Sequence, residues 1–241
     1  MAERRIDSVP RLVLAMLGVA LLAQLAFSAW QPRPSARAED LPPPPSASAM
    51  RALSLGDAIP LAQLLTLSLQ AFDNQPGISI PFLQLDYGHV QSWLDRILEL
   101  DPRGQYPLMM ASQLYAQVPD EAKQRQMLEF VYRQFSADPD RRWPWLAHAV
   151  IMAKHRLHDL PLALRYAQTL SARATGPGVP DWARQMQIFL YEDMGEYKTA
   201  EVLLGGLLAS GALTDPHEIR FLVERLNQLK GAEKSSDPSK K

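Results

Sequence analysis

Apolar residues recur at helical spacing through most of the chain. Leu146, Ala149, Val150, Ala153 and Leu157 fall on one narrow stripe of a helical wheel, and residues 127–135 form a second stripe of the same kind. No stretch alternates long enough to require a strand. The pattern predicts helices near 58–72, 86–100, 105–117, 120–136, 144–157, 160–174, 181–193, 196–210 and 216–230. Prolines stand at the predicted boundaries, where a helix tolerates them: Pro60, Pro107, Pro119, Pro144, Pro161, Pro180 and Pro216.

A separate apolar run stands near the N-terminus. Leu12 to Trp30 is 19 residues long and carries no charged side chain. At about 1.5 Å per residue, a helix of this length matches a hydrocarbon core of about 30 Å. We therefore predict a short tail over 1–11 and a transmembrane signal anchor over 12–30, with Trp30 at the interface.

A cleaved signal peptide is the alternative, since the run follows a basic N-terminus and Ala26 to Ser28 resembles a cleavage site. We favour the anchor because the run exceeds the roughly 7–15 apolar residues of a signal peptide. The orientation is also open, because Arg4, Arg5 and Arg11 precede the span while Arg33 and Arg37 follow it. A short tail and a large following domain are typical of a single-pass bacterial inner-membrane protein with a periplasmic domain. A cytoplasmic-facing domain is the alternative.

Two polar segments flank the predicted folded region. Residues 31–51 contain six prolines with alanine and serine, which indicates an extended linker. Residues 231–241 have too little apolar surface to fold and are predicted to be a disordered tail. The helical domain is therefore expected over 52–230.

Charge and cysteine content exclude several classes of function. The formal net charge is -1, and residues 51–230 hold 17 Lys+Arg against 20 Asp+Glu, without the basic surplus typical of nucleic-acid binders. Cysteine is absent, which excludes disulfides, thiolate metal sites and thiol nucleophiles.

The predicted helices form pairs at a regular interval. Asp101-Pro102, Asp138-Pro139, Gly176-Pro177 and Asp215-Pro216 stand 37, 38 and 39 residues apart. Two helices in each period of this length are typical of a helical repeat protein.

Three segments resemble the tetratricopeptide repeat (TPR) family. Gly195 to Ala200 resembles the turn of its helix hairpin, 158–163 is a looser copy, and 93–102 resembles the end of its second helix. The spacing exceeds the family's 34 residues. The resemblance implies an all-α fold: a right-handed solenoid of about four helix hairpins and a capping helix at 216–230, preceded by one transmembrane helix.

Three clusters of polar residues have a chemical and a structural interpretation. His148, His155 and His158 lack further metal ligands nearby, which favours solvent-facing or groove-lining side chains. Residues 141–145 mix arginine and tryptophan as phosphate sites do, but packing between repeats is favoured. Glu192, Asp193 and Glu196 are interpreted as surface charge at an exposed turn. We predict no enzymatic activity, no cofactor, no metal and no nucleic-acid partner.

The resemblance implies a binding scaffold, since TPR solenoids present a concave groove to peptides or other proteins. We predict a membrane-anchored adaptor that assists assembly of a membrane or envelope complex. A structural or regulatory subunit of a membrane enzyme complex is the alternative. The groove candidates are Ile151, Lys154, His155, Arg184, Ile188 and Tyr191.

Overall fold

The computed structural model describes residues 10–31, 38–211, 213 and 215–236. This part of the chain is mostly helical, with two very short strands. The helices are α1 (Arg11–Trp30), α2 (Ala47–Leu53), α3 (Ala58–Gln70), α4 (Tyr87–Leu100), α5 (Tyr106–Met109), α6 (Glu121–Phe135), α7 (Pro139–His155), α8 (Leu160–Arg173), α9 (Asp181–Asp193), α10 (Tyr197–Ala209) and α11 (Pro216–Ser236).

The chain divides into two compact units. The first unit comprises the residues up to Glu39 together with Asn74–Ser79, and the helical unit comprises Asp40–Asp73 and the residues from Ile80 onward. α1 belongs to the first unit. It is long and apolar enough to cross a membrane, and none of its residues is buried.

The segment 74–79 of the first unit is a small hairpin. Strands β1 (Asn74–Gln75) and β2 (Ile78–Ser79) pair antiparallel around Pro76 and Gly77. Gly77 has a φ of +78°, which glycine adopts without steric cost. The Gln75 side-chain amide donates to the Glu39 carbonyl and accepts from the Glu39 amide, both at 2.8 Å.

Aspartates begin four helices of the helical unit. The carboxylates of Asp57, Asp86, Asp120 and Asp159 accept hydrogen bonds from the backbone amides at the starts of α3, α4, α6 and α8. These amides have no partner within the helix, so each carboxylate satisfies groups that would otherwise be unpaired. The same hydrogen bonds lower the pKa of Asp86.

Apolar residues of these helices form two clusters. The larger extends from Leu41 to Leu190 and includes fully buried Leu94, Phe130, Leu146 and Tyr166. The smaller lies among α9, α10 and α11 and contains Ile188, Ala200, Leu204, Leu213, Leu222 and Leu229. The segment after α5 continues as a π-helical turn at Met110–Leu114 and a 3₁₀ turn at Tyr115–Gln117. Helices that follow one another in sequence pack together.

Many side-chain hydrogen bonds join positions about one predicted period apart. Arg142 Nη2 donates to the Pro102 carbonyl at 2.8 Å, 40 residues away. Tyr166 Oη donates to Glu129 Oε1 at 2.9 Å, 37 residues away. The Gly176 amide donates to Asp140 Oδ1 at 2.7 Å, 36 residues away. Residues one period apart therefore lie side by side.

Two helix ends separated by 37 residues have the same backbone shape. After α7, His158 has a φ of +51°, and after α9, Gly195 has a φ of +78°. The next amide donates back to the helix in both turns, from Asp159 to the Ala153 carbonyl and from Glu196 to the Tyr191 carbonyl, each at 2.9 Å. The structure thus repeats a helix stop that the sequence writes once as histidine and once as glycine.

The boundaries of the predicted linker and tail differ from the structure. Leu41 and Met50 are buried, and the carbonyls of Leu41 and Pro42 accept hydrogen bonds from His89 Nδ1 and Trp93 Nε1 at 2.6 and 2.8 Å. The folded region therefore begins before residue 52. At the other end, α11 continues to Ser236, and the rest of the predicted tail lies outside the described residues.

The expectation for Pro144 was wrong. Pro144 lies inside α7, which begins at Pro139 rather than at residue 144. Pro139, at the first position of the helix, is the proline that marks its start. Pro144 lacks the amide hydrogen that would bond to the carbonyl of residue 140, so α7 loses a single hydrogen bond there.

Candidate functional site

The two cations among the predicted groove residues are engaged in ion pairs within the chain. Lys154 of α7 pairs with Asp193 at the end of α9, and Arg184 pairs with Asp181 one turn earlier in α9. Their charges are therefore matched inside the protein. This weakens the expectation that they recognise an acidic partner.

The four other groove candidates do not form one surface. Ile188 is buried among α9, α10 and α11. Tyr191 is half-buried, and its hydroxyl accepts a hydrogen bond from Gln168 Nε2 at 2.8 Å. Ile151 and His155 are exposed on α7. Arg184 and Ile188 line a cleft of about 270 Å³ together with Leu203 and Leu207 of α10.

The tryptophans of residues 141–145 pack between helices. Trp143 meets Trp182 of α9 edge-to-face, with ring centroids 5.5 Å apart. Trp145 Nε1 donates to Gln105 Oε1 at 2.7 Å. Arg142 is only 3% exposed and donates to main-chain carbonyls. The structure thus supports the packing interpretation of this segment.

Glu192 is not surface charge. It is buried at the end of α9, and Arg225 Nε of α11 donates to Glu192 Oε2 at 2.8 Å. His148 also differs from expectation: it is half-buried against the backbone of Ser112, and burial lowers its pKa. Sequence periodicity missed both because neither position belongs to an apolar stripe. No group of His, Cys, Asp or Glu residues suited to a metal ion occurs in the described ranges.

The largest cleft of the helical unit that we identify lies elsewhere. It has a volume of about 510 Å³, within the usual range for ligand sites of about 300–1,000 Å³. Its walls come from α3, the end of α4 and the start of α5. The lining residues are Ala62, Gln63, Thr66, Leu67, Ile97, Asp101, Gly104, Gln105, Tyr106 and Pro107.

Local structure fixes the walls of this cleft. Tyr106 begins α5, and its hydroxyl donates to Gln70 Oε1 of α3 at 2.8 Å, so the two walls are joined at one edge. Gln105 is held by Trp145, and Thr66 Oγ1 donates to the Ala62 carbonyl at 2.7 Å. The cleft is thus a preformed, largely apolar site with amide and carboxylate groups at its margin.

Sequence reasoning missed this site because it treated 58–72 as a helix like the others. A signal was present. Leu64 and Leu67 lie outside the buried stripe of α3, and Leu67 is 62% exposed beside the cleft. A helix that is apolar beyond its core-facing stripe needs a second partner to bury that surface.

No known protein family, curated protein or solved structure matches this chain. The candidate site is therefore defined by its geometry alone.

Proposed function

We propose that this protein is a membrane-anchored adaptor that binds a segment of a partner protein in the cleft formed by α3, α4 and α5. α1 is the membrane anchor in this proposal. Its support is a 20-residue helix without a buried residue, with a hydropathy suited to a hydrocarbon core. We further propose the single-pass bacterial inner-membrane topology, with the helical unit on the periplasmic side.

The helical unit is a TPR-like solenoid in this proposal. Hydrogen bonds between residues one period apart support it, as do the matched turns at His158 and Gly195. Ala163 and Ala200 occupy the positions where the family places a small residue, and both are fully buried. Small side chains at these positions let neighbouring helices approach closely.

The cleft is the observation that carries the proposed binding function. Its apolar lining, which includes Leu67 and Pro107, suits an apolar anchor side chain. Gln63 and Asp101 at its margin can hydrogen-bond the backbone on either side of that anchor. Such a central apolar anchor with a polar rim is the usual energetic design of a protein–peptide contact.

A displayed peptide library panned against the full chain in detergent tests this proposal. Selected peptides should bind the wild-type protein and lose roughly tenfold or more affinity for Tyr106→Ala, because that change removes an aromatic wall of the cleft. Phe221→Ala is the matched control, since Phe221 is an exposed aromatic residue of α11 outside the cleft.

Two results would contradict the proposal. One is a selection that yields no specific peptide. The other is a set of peptides that bind Tyr106→Ala and wild type equally. Loss of binding to a Lys154→Glu, Arg184→Glu variant, with Tyr106→Ala unaffected, would instead favour the groove predicted from the sequence.

A further inference from the structure

The outer face of α3 is apolar and uncharged. Its solvent-facing large residues are Ile59, Leu64 and Leu67, each more than half exposed. Leu53 and Leu55 extend this surface into the turn before α3, where Leu55 is 93% exposed. Between Arg51 and Asp73, the sole charged residue is Asp57, and its carboxylate caps α3. We call these five residues, Leu53, Leu55, Ile59, Leu64 and Leu67, the apolar face.

The last helix of the unit has the opposite character. α11 exposes Arg220, Glu224 and Lys230 beside its apolar residues. A terminal helix of a repeat protein usually carries such a polar outer face, because no further repeat covers it. The first long helix of this unit lacks that protection, so its apolar face needs an occupant of its own.

The backbone before α3 directs this surface outward at some cost. Leu55 has a φ of +49°, a left-handed conformation that is unusual for a leucine, and Gly56 follows with a φ of +94°. No burial inside the unit compensates Leu55 for this conformation, since its side chain is almost entirely exposed. An external apolar environment would compensate it.

We propose that the apolar face lies in the interface of the lipid bilayer that holds α1. Three observations favour lipid over protein as the occupant. The face carries no charged group. The bent pair α2 and α3, at an angle of 111°, together is apolar and long enough to pass the same hydropathy criterion as α1. The third is the short connection between α1 and the helical unit.

That connection limits how far the helical unit can move from the membrane. Ten residues, 31–40, join the end of α1 to the start of the helical unit. Fully extended, ten residues span at most about 35 Å. A tether of this length makes membrane contact an intramolecular event, so a modest apolar surface is enough for stable docking. This inference rests on the membrane anchorage of the proposed function and does not depend on partner binding in the cleft.

Site-specific fluorescence in vesicles tests the proposal. Because the chain contains no cysteine, Leu53→Cys and Leu64→Cys each give a single labelling position without further changes. The matched control is Val202→Cys, since Val202 is an isolated exposed apolar residue of α10. Each full-length variant carries an environment-sensitive dye and is reconstituted in vesicles of phosphatidylcholine and phosphatidylglycerol in equal amounts. Circular dichroism checks that the labelled chains are folded.

The expected result is a blue-shifted emission at positions 53 and 64 that nitroxide-labelled lipid quenches several-fold more than the emission at 202. Equal quenching at 64 and 202 overturns the proposal. Shielding of position 64 from aqueous iodide without lipid quenching also overturns it, because protein would then cover the face. If the chain does not float with the vesicles, the anchor of the proposed function fails together with this inference. Flotation without lipid quenching contradicts this inference alone.

Discussion

Arg142 offers a direct test of how neighbouring repeats are joined. Its guanidinium is buried between α4 and α6. Nη2 donates to the Pro102 carbonyl at 2.8 Å, and Nη1 donates to the Gln134 carbonyl at 2.5 Å and to Gln134 Oε1 at 3.1 Å. Arg142→Met keeps most of the apolar stem and removes these donors. Two buried main-chain carbonyls then lose their partner.

The size of the effect follows from two opposing contributions. Hydrogen bonds from a charged donor are worth about 1.5–3 kcal/mol each in net stability. Against this, the guanidinium is buried without a carboxylate partner, its Nε has no acceptor, and burial lowers the pKa of Arg142. Removing the charge therefore recovers part of the cost of burying it. We expect Arg142→Met to lower the free energy of unfolding by about 2–3 kcal/mol.

Urea unfolding of the full chain in mild detergent, followed by tryptophan fluorescence, measures this change. The control is Arg141→Met. Arg141 is exposed and pairs with Asp138 at 3.0 Å, a surface contact worth less than about 1 kcal/mol. If Arg142→Met were as stable as Arg141→Met, the buried hydrogen bonds of Arg142 would not be stabilising, and the reasoning would be refuted.

Two other histidine predictions concern pH and the backbone. Because burial lowers the pKa of His148, the unfolded chain binds a proton more readily, so stability should fall as pH drops below about 6.5. His148→Gln should reduce that fall in a urea titration repeated at several pH values, whereas His155→Gln, at an exposed site, should leave it unchanged. The left-handed backbone of His158 predicts that His158→Gly raises the free energy of unfolding by about 0.5–1 kcal/mol and that Gly195→His lowers it by about 1 kcal/mol. Thermal unfolding of both variants checks this, and destabilisation by His158→Gly would contradict it.

The positions and lengths of the helices could be read from the sequence. The helices expected at 181–193 and 160–174 are Asp181–Asp193 and Leu160–Arg173 in the structure. Apolar periodicity and capping residues are local properties, so a single sequence contains them. The period in the high thirties also emerged locally, from recurring helix stops.

The contacts between periods were decided by the tertiary structure. Whether Lys154 would be free or paired depended on Asp193, which lies 39 residues away and meets it across neighbouring helices. Glu192 looked like surface charge until α11 packed over it and brought Arg225 within hydrogen-bonding distance. Long-range pairing of this kind has no signature in local spacing.

The cleft and the apolar face show where sequence and structure each contributed. The sequence alone determined that residues 52–72 are almost uncharged and helical, because composition and periodicity are written in the chain. Only the packing of α3 against α4 and α5 decided which of its apolar residues enter the core, which line the cleft and which remain exposed. Burial depends on what the rest of the chain covers, and that is a property of the folded protein as a whole.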